Sequence, residues 1–160
     1  MPLPKRLSFI PRIPPESAID LNNPKRFLFN VDENEDSITF GISWREFEMN
    51  AVAPDEMVKL NTTEIWEFIS GGFHVAHVHQ VQFQILERRL ENEWPHMVAN
   101  WITVKDGLVD DGWHDTVLMI RGFIAKVIMR FEDFPGLFLY HCHKMHHEDA
   151  GMMPNYQILA

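Results

Sequence analysis

Short runs of β-branched and aromatic residues, separated by turn signals, dominate the chain from residue 26 onward. In the segment 127–131 (VIMRF), apolar side chains recur at every second position, a period that is typical of a strand with one buried face. Gly-Gly, Asp-Gly and Pro-Gly pairs between the runs favour turns. Many short strands with such punctuation predict a β-sandwich or a barrel. The predicted strands are 26–30 (RFLFN), 37–42 (SITFGI), 64–70 (EIWEFIS), 81–87 (VQFQILE), 115–120 (DTVLMI), 125–131 (AKVIMRF), 136–142 (GLFLYHC) and 155–159 (NYQIL).

Two segments depart from this pattern. Residues 1–24 contain several prolines and little periodicity, so we predict an extended arm or linker there and a folded domain over residues 25–160. Residues 90–112 show no convincing helical periodicity and form the longest segment predicted to be irregular. Loops of that length in compact domains are often functional, so we expect this one to shape a substrate pocket.

Composition narrows the class of protein. A chain of 160 residues that is 46% hydrophobic suits one globular domain with a real core. The formal net charge of −9 disfavours nucleic acid as a partner, since phosphate binding needs clustered Lys and Arg. The first residues are basic but carry no long apolar run, so they predict neither a secretory signal nor a membrane span. A single cysteine excludes an intrachain disulfide.

That cysteine, Cys142, lies between His141 and His143 in the motif HCH. If this segment is extended, the two histidines share one face of the strand while Cys142 projects from the other. We therefore expect the thiol and the two adjacent imidazoles to belong to different sites. A second histidine motif, FHVAHVH, occupies residues 73–79.

The donors available to Cys142 indicate copper. His147 and Met152 follow it in the spacing C-x4-H-x4-M, and His74 is the natural source of a second imidazole. A thiolate, two imidazoles and a weak thioether are the ligand set of a blue-copper electron-transfer centre. Zinc is the alternative metal, but no C-x2-C spacing is present; an inert buried cysteine and chance surface histidines are the alternatives without metal. The remaining motif histidines form an all-imidazole face suited to copper: His77, His79, His141 and His143.

With these two motifs the sequence resembles the multicopper oxidases, specifically the last cupredoxin domain of the laccase, bilirubin oxidase and spore-coat laccase group. The family motif H-P-x-H-x-H stands here as HVAHVH, and H-C-H-x3-H-x4-[M/L] stands as residues 141–152. The stretches LNTTEIWEF, VQFQILER and GWHDT look like the same domain. Val75 replaces the usual proline and Gln80 a common glycine, but neither change removes a ligand.

The resemblance implies an all-β fold, a cupredoxin-like Greek-key β-sandwich, and a laccase-like oxidase function. By this resemblance, a type 1 copper would take electrons from a reducing substrate, and Cys142 would pass them to a trinuclear copper cluster that reduces dioxygen to water. Glu148 stands where relatives carry an acidic residue that delivers protons. By the same resemblance the copper ligands are His74, Cys142, His147 and Met152 for type 1, His77 for type 2, and His79, His141 and His143 for type 3.

The resemblance also implies that this chain alone lacks half of the cluster's histidines, which the first cupredoxin domain supplies in the family. We expect a partner chain with N-terminal cupredoxin domains, or alternatively a homo-oligomer, to complete the cluster and to cover the imidazole face. The arm, residues 1–24, is expected either to clasp such a partner or to be a free tail. A stand-alone electron-transfer or copper-binding cupredoxin, and a structural domain with empty sites, are the competing functions. The family suggests a periplasmic or extracellular location, and the substrate is open among phenols, bilirubin-like pigments and metal ions.

Overall fold

Ten strands form two five-stranded sheets in the computed structural model, which describes residues 8–33 and 37–160. The sheets pack face to face, as the period of two predicts. All eight predicted strands are found, with end shifts of a few residues, and the all-β sandwich prediction is confirmed. The strands are β1 (Lys25–Glu33), β2 (Ile38–Ile42), β3 (Met57–Lys59), β4 (Thr62–Ser70), β5 (His74–Val78), β6 (Phe83–Leu90), β7 (Thr116–Met119), β8 (Phe123–Phe131), β9 (Gly136–Cys142) and β10 (Asn155–Leu159).

The strand order mixes neighbours that are distant in sequence. The first sheet has the order β2-β1-β4-β8-β6, and the second sheet has the order β3-β10-β9-β5-β7. The β1–β4 and β10–β3 pairs are parallel, whereas the other pairs are antiparallel. In the second sheet β5 lies beside β9, so the two histidine motifs of the sequence become neighbours.

Aromatic side chains fill the space between the sheets. Phe27, Trp66 and Tyr140 have no exposed surface, and the ring centroid of Phe27 lies 4.8 Å from that of Trp66 and 5.0 Å from that of Tyr140. Rings of this size bury about 150–250 Å² each, so they dominate the energetics of the core. The core reaches Cys142, which belongs to the same apolar cluster.

A buried polar contact fastens β9 close to the cysteine. The Tyr140 hydroxyl donates to Glu56 Oε1 over 2.8 Å, and Arg45 Nε lies 2.9 Å from the same oxygen. Burial is the main reason that the pKa of Tyr140 is raised well above its usual range, so the phenol stays a donor. This contact holds β9 two residues before Cys142.

The described part of the arm, residues 8–24, lies on the outer face of the first sheet. Gln84 clamps it, because its Oε1 accepts the N–H of Ile13 over 2.8 Å and its Nε2 donates to the carbonyl of Pro11 over 2.8 Å. Ile13 packs there in a small apolar cluster with Ile65 and Ile128. The division between arm and domain at residue 25 stays a prediction, and residues 1–7 lie outside the described part.

The segment 90–112, predicted to be irregular, contains a helix instead. α1 (Pro95–Val104) begins with a proline, which suits the first turn because it has no N–H to satisfy. Trp101 packs on Phe123 with the ring centroids 4.9 Å apart. A second helix, α2 (Met145–Glu148), follows β9 directly. Within the described residues, neither helix is long and apolar enough to cross a membrane.

We expect Gln84→Ala to lower the free energy of unfolding by about 1–3 kcal/mol, because the buried N–H of Ile13 and the part-buried carbonyl of Pro11 lose their partner. Urea denaturation measures the change. Gln82→Ala, at an exposed position beside the same strand, is the matched control and should change stability by less than about 0.5 kcal/mol. Equal stability of the two variants would show that the clamp contributes nothing.

Candidate metal centre

Cys142 and its neighbours project from opposite faces of the second sheet. In the β5–β9 register Ala76 pairs with Cys142, and His77 pairs with His141. Because side chains alternate along a strand, Cys142 points with Ala76 into the core while His141 points with His77 to the other face. Cys142 and Ala76 have no exposed surface, in agreement with this placement.

The first group of candidate ligands surrounds the thiol. Cys142 Sγ lies 3.6 Å from His74 Nδ1 and 3.6 Å from His147 Nδ1, and the two Nδ1 atoms are 3.2 Å apart. All three residues are buried. The sequence predicted this grouping although His74 lies on β5, Cys142 on β9 and His147 on α2.

Met152 closes the segment that carries the first group. Its carbonyl accepts the N–H of Cys142 over 3.1 Å, and its own N–H donates to the carbonyl of His147 over 2.9 Å. The side chain is fully buried. These two hydrogen bonds hold the backbone of Met152 close to Cys142 and His147. The thiol, the imidazole and the thioether therefore come from one short segment with a fixed conformation. This arrangement suits a weak axial donor to copper.

Burial sets the protonation of the first group. It lowers the pKa of both His74 and His147 to about 4, helped by the nearby Lys144 cation and, at His74, by the His147 ring. Burial also raises the pKa of the Cys142 thiol. At neutral pH the imidazoles therefore offer free lone pairs, and a metal ion has only the thiol proton to displace. The donor set and its protonation fit a copper ion.

The second group lies on the opposite face. The ligand nitrogens of His77, His79 and His141 lie within 4.8 Å of one another, and His79 Nε2 is 3.0 Å from His141 Nε2. The His143 ring is 5.4 Å from that of His77 and 5.5 Å from that of His141. The structure therefore brings together all four histidines that the sequence grouped, with His143 slightly apart and exposed.

Contacts behind these rings select which nitrogen faces the site. His77 Nδ1 lies 2.8 Å from the carbonyl of Asp115 and 3.2 Å from the Thr116 hydroxyl. His141 Nδ1 lies 3.5 Å from a carboxylate oxygen of Glu148. Metal-binding histidines usually donate their second N–H in this way, which orients the ring. Both rings thus present Nε2 to the site.

Three contacts around the second group were not predicted. The Tyr156 hydroxyl donates to the carbonyl of His79 over 2.6 Å and so holds that histidine from behind. The contacts of Asp115 and Thr116 to His77 were not predicted either, although GWHDT was noted as family-like. His96 and His114, predicted not to be ligands, belong to neither group within the described residues.

A cavity of about 530 Å³ lies beside the first group, next to His74. Its described lining comes from β1, from the β4–β5 turn and from Arg121. No residue of 90–112 is among the described lining of this cavity, and the expectation that this segment shapes a substrate pocket stays a prediction. α1 packs on the end of β8 instead.

Known proteins share both the sequence pattern and the fold. The family model described as multicopper oxidase matches residues 18–159. A laccase of Bacillus subtilis (strain 168) is 31% identical over 105 residues, which cover 61% of this chain and 20% of that protein. A bilirubin oxidase of Albifimbria verrucaria is 30% identical over 135 residues, covering 82% of this chain and 21% of that protein.

Solved structures of known proteins share the fold of this chain. A laccase from Pediococcus acidilactici Pa5930 superposes with a TM-score of 0.69 at 25% identity, covering 100% of this chain and 31% of that one. The McoA multicopper oxidase from Aquifex aeolicus gives a TM-score of 0.70 at 25% identity, with coverage of 98% and 33%. The chain thus spans about a fifth of the curated relatives and about a third of the solved structures. The expected cupredoxin-like sandwich is confirmed.

Copper loading of the first group can be tested by its colour. We expect the copper(II)-loaded protein to show an intense blue thiolate charge-transfer band, which Cys142→Ser abolishes. Met152→Leu should keep the band and raise the reduction potential, because oxidised copper loses a weak axial donor. Visible spectra and redox titration measure both effects. A blue band that survives in Cys142→Ser would disprove the assignment.

The low pKa of His74 predicts how the stability of the metal-free protein depends on pH. The His74 imidazole binds a proton near pH 6.5 in the unfolded chain and only near pH 4 in the folded chain. The neutral imidazole therefore makes its full contribution to the free energy of unfolding above pH 6.5, and this contribution is lost as the pH falls from 6.5 to 4. Between pH 7 and pH 4.5 we expect the free energy of unfolding of His74→Gln to fall by roughly 1–3 kcal/mol less than that of the unchanged protein. Urea unfolding at pH 7, 5.5 and 4.5 measures it; parallel curves for both proteins would contradict the assignment.

Proposed function

Because this chain belongs to the multicopper oxidase family, we propose that it is the copper-binding part of a laccase-like oxidase that takes electrons from a reducing substrate and reduces dioxygen to water. One observation carries the proposal. Two groups of candidate ligands lie on opposite faces of one pair of strands, and the short segment His141-Cys142-His143 contributes to both.

The geometry supports a division of ligands between two kinds of copper site. When bound, copper supplies one-electron redox chemistry in the first group and dioxygen reduction in the second. The close pair His79 and His141, with Nε2 atoms 3.0 Å apart, suits two ligands of one ion, whereas the more distant His143 suits a neighbouring ion. The proposed ligands are His74, Cys142, His147 and Met152 for the type 1 site, His77 for the type 2 site, and His79, His141 and His143 for the type 3 pair.

Cys142 connects the two sites covalently. Its backbone is bonded to His141 on one side and to His143 on the other, so its sulfur is joined through a few covalent bonds to ligands of the second group. In this proposal the cysteine is both a ligand and the route for electrons. The buried, tightly paired β5–β9 ladder keeps the distance between the sites constant.

Glu148 is the proposed proton donor for oxygen reduction. Its carboxylate lies 3.5 Å from His141 Nδ1, and its side chain is 31% exposed. The group can therefore reach both the second ligand group and solvent, which is what delivery of protons to bound oxygen requires. The contact to His141 also supports a positioning role for the same residue.

The second group needs further ligands to work as a trinuclear cluster. His143 is exposed, and His77 and His79 are only partly covered. Oxygen reduction needs a closed site that keeps bulk water from reactive intermediates. We therefore propose that additional histidines cover this face, supplied by a chain or segment with N-terminal cupredoxin domains or by a second copy of this chain. The reducing substrate would be a phenol, a bilirubin-like pigment or a metal ion, and the net charge of −9 favours neutral or cationic ones.

A blue-copper electron carrier is the second candidate function. The first group supports it, because it is complete within this chain. A carrier has no use for four further histidines, however. The ordering of His77 and His141 by contacts behind their rings therefore favours the oxidase.

Copper content and oxygen uptake separate the two functions. The isolated chain should bind a single blue copper ion tightly and consume no oxygen with a phenol as reductant. Oxygen uptake should appear only in an assembly that adds further histidines. In that assembly His79→Ala and His143→Ala should lower uptake by at least about a hundredfold while the blue band persists, because only cluster ligands are lost.

His96→Ala is the matched control for these variants, since His96 lies outside both groups, and it should leave uptake unchanged. Oxygen electrode measurements and metal analysis give both quantities. A blue assembly that never consumes oxygen would overturn the oxidase proposal in favour of the carrier.

A further inference from the structure

The backbone N–H of Val75 has no carbonyl partner in the ladder between β5 and β9. Residues of a hydrogen-bonded antiparallel pair lie opposite each other and exchange two N–H···O bonds. His143 gives its half of this exchange to the carbonyl of Val75 over 2.7 Å. The other half, from the Val75 N–H to the His143 carbonyl, is absent from the backbone hydrogen bonds of the described residues. Because β9 ends at Cys142, the ladder stops here with one donor unused.

This N–H points toward the end of β9, where the Cys142 sulfur lies. In an antiparallel ladder the N–H and the carbonyl of one residue face the same neighbouring strand, and the Val75 carbonyl faces β9. Cys142 lies opposite Ala76, the residue after Val75. Its Sγ is 3.6 Å from Nδ1 of His74, the residue before Val75. The donor is therefore held between two residues that are both neighbours of the cysteine.

The electrostatic environment of the sulfur agrees with this placement. Burial raises the pKa of the Cys142 thiol, whereas hydrogen bonds from the backbone N–H groups of Val75 and Lys144 lower it. A hydrogen bond to the charged form of an acceptor stabilises that form. Within the described part of the chain, the sulfur therefore has a donor on β5 and a donor just after β9.

A proline in place of Val75 lacks this donor. Proline has no backbone N–H, and the family motif H-P-x-H-x-H carries proline where this chain has Val75. The exchange leaves the ladder intact, since the N–H of Val75 forms no bond to the His143 carbonyl. The departure from the motif therefore adds a donor to the sulfur and leaves the candidate ligands unchanged.

A donor to the sulfur affects how readily the first group accepts an electron. Hydrogen bonding around the cysteine sulfur is one of the factors that set the reduction potential of a copper–thiolate site. The sulfur carries more negative charge beside copper(I) than beside copper(II), because copper(II) withdraws more of its electron density. An N–H that donates to the sulfur therefore stabilises the reduced site more than the oxidised site.

We propose that the backbone N–H of Val75 donates to the Cys142 sulfur and thereby raises the reduction potential of copper in the first group. Val75 acts through the sulfur and does not bind the metal. A higher potential allows the site to take electrons from weaker reductants than the same site with proline accepts. That consequence rests on the proposed function, whereas the hydrogen bond itself does not.

Val75→Pro tests the proposal, because it removes the N–H and restores the residue of the family motif. In the isolated chain loaded with copper, we expect the equilibrium constant for one-electron reduction to fall by about tenfold, which corresponds to about 59 mV. Val75→Ala is the matched control, since it also loses the branched side chain but keeps the N–H. Its potential should equal that of the unchanged protein. Redox titration followed at the blue band measures all three potentials.

Cadmium substitution tests the hydrogen bond in the unchanged protein. In ¹⁵N-labelled protein loaded with ¹¹³Cd(II), a hydrogen bond to the metal-bound sulfur gives a scalar coupling between the amide proton and the cadmium nucleus. We expect this coupling at Val75 and, as an internal control, at Lys144. No coupling at Val75, or equal potentials of Val75→Pro and Val75→Ala, would overturn the proposal. The expected shift in potential, combined with an assembly that consumes no oxygen, would instead refute the oxidase function and leave this hydrogen bond standing.

Discussion

The pairing of β5 with β9 is the constraint on which both candidate sites depend. Ala76 opposite Cys142 and His77 opposite His141 place the thiol in the core and the imidazoles on the outer face. A slip of one residue would exchange the two sets and destroy both sites. The register is fixed from several directions, by the backbone hydrogen bonds from His143 to Val75 and from Cys142 to Met152 and by the buried Tyr140 hydroxyl on Glu56.

The core also determines the chemistry of the first group. Phe29 and Phe40 pack against the rings of His74 and His147, and the resulting burial keeps both imidazoles neutral and ready to bind. Burying the side chains of His74, Cys142 and His147 destabilises the metal-free protein, so other interactions must compensate for this cost. The large aromatic core between the sheets offsets that cost, so the site is held in shape before any metal binds.

Much of this organisation could be predicted from the sequence, because ligand identity, spacing and strand alternation are local signals. The grouping of His74 with Cys142 and the separation of Cys142 from His141 both follow from them. The contacts of Asp115 and Tyr156 leave no such signal, since they join backbone carbonyls to residues far away in the chain. α1 was missed because its start lacks a side-chain cap, and its one strong mark is the proline at its first position.

The two ligand groups differ in how completely this chain encloses them. The first is enclosed within the sandwich, since none of its four candidate ligands is more than 5% exposed. The second is half covered and carries an exposed His143. A site that exchanges only electrons gains from burial, because fixed surroundings keep its ligands in one geometry. A site that binds oxygen and protons needs access and then closure, and closure by other residues allows both. The unequal burial of the two groups therefore matches their proposed division of labour.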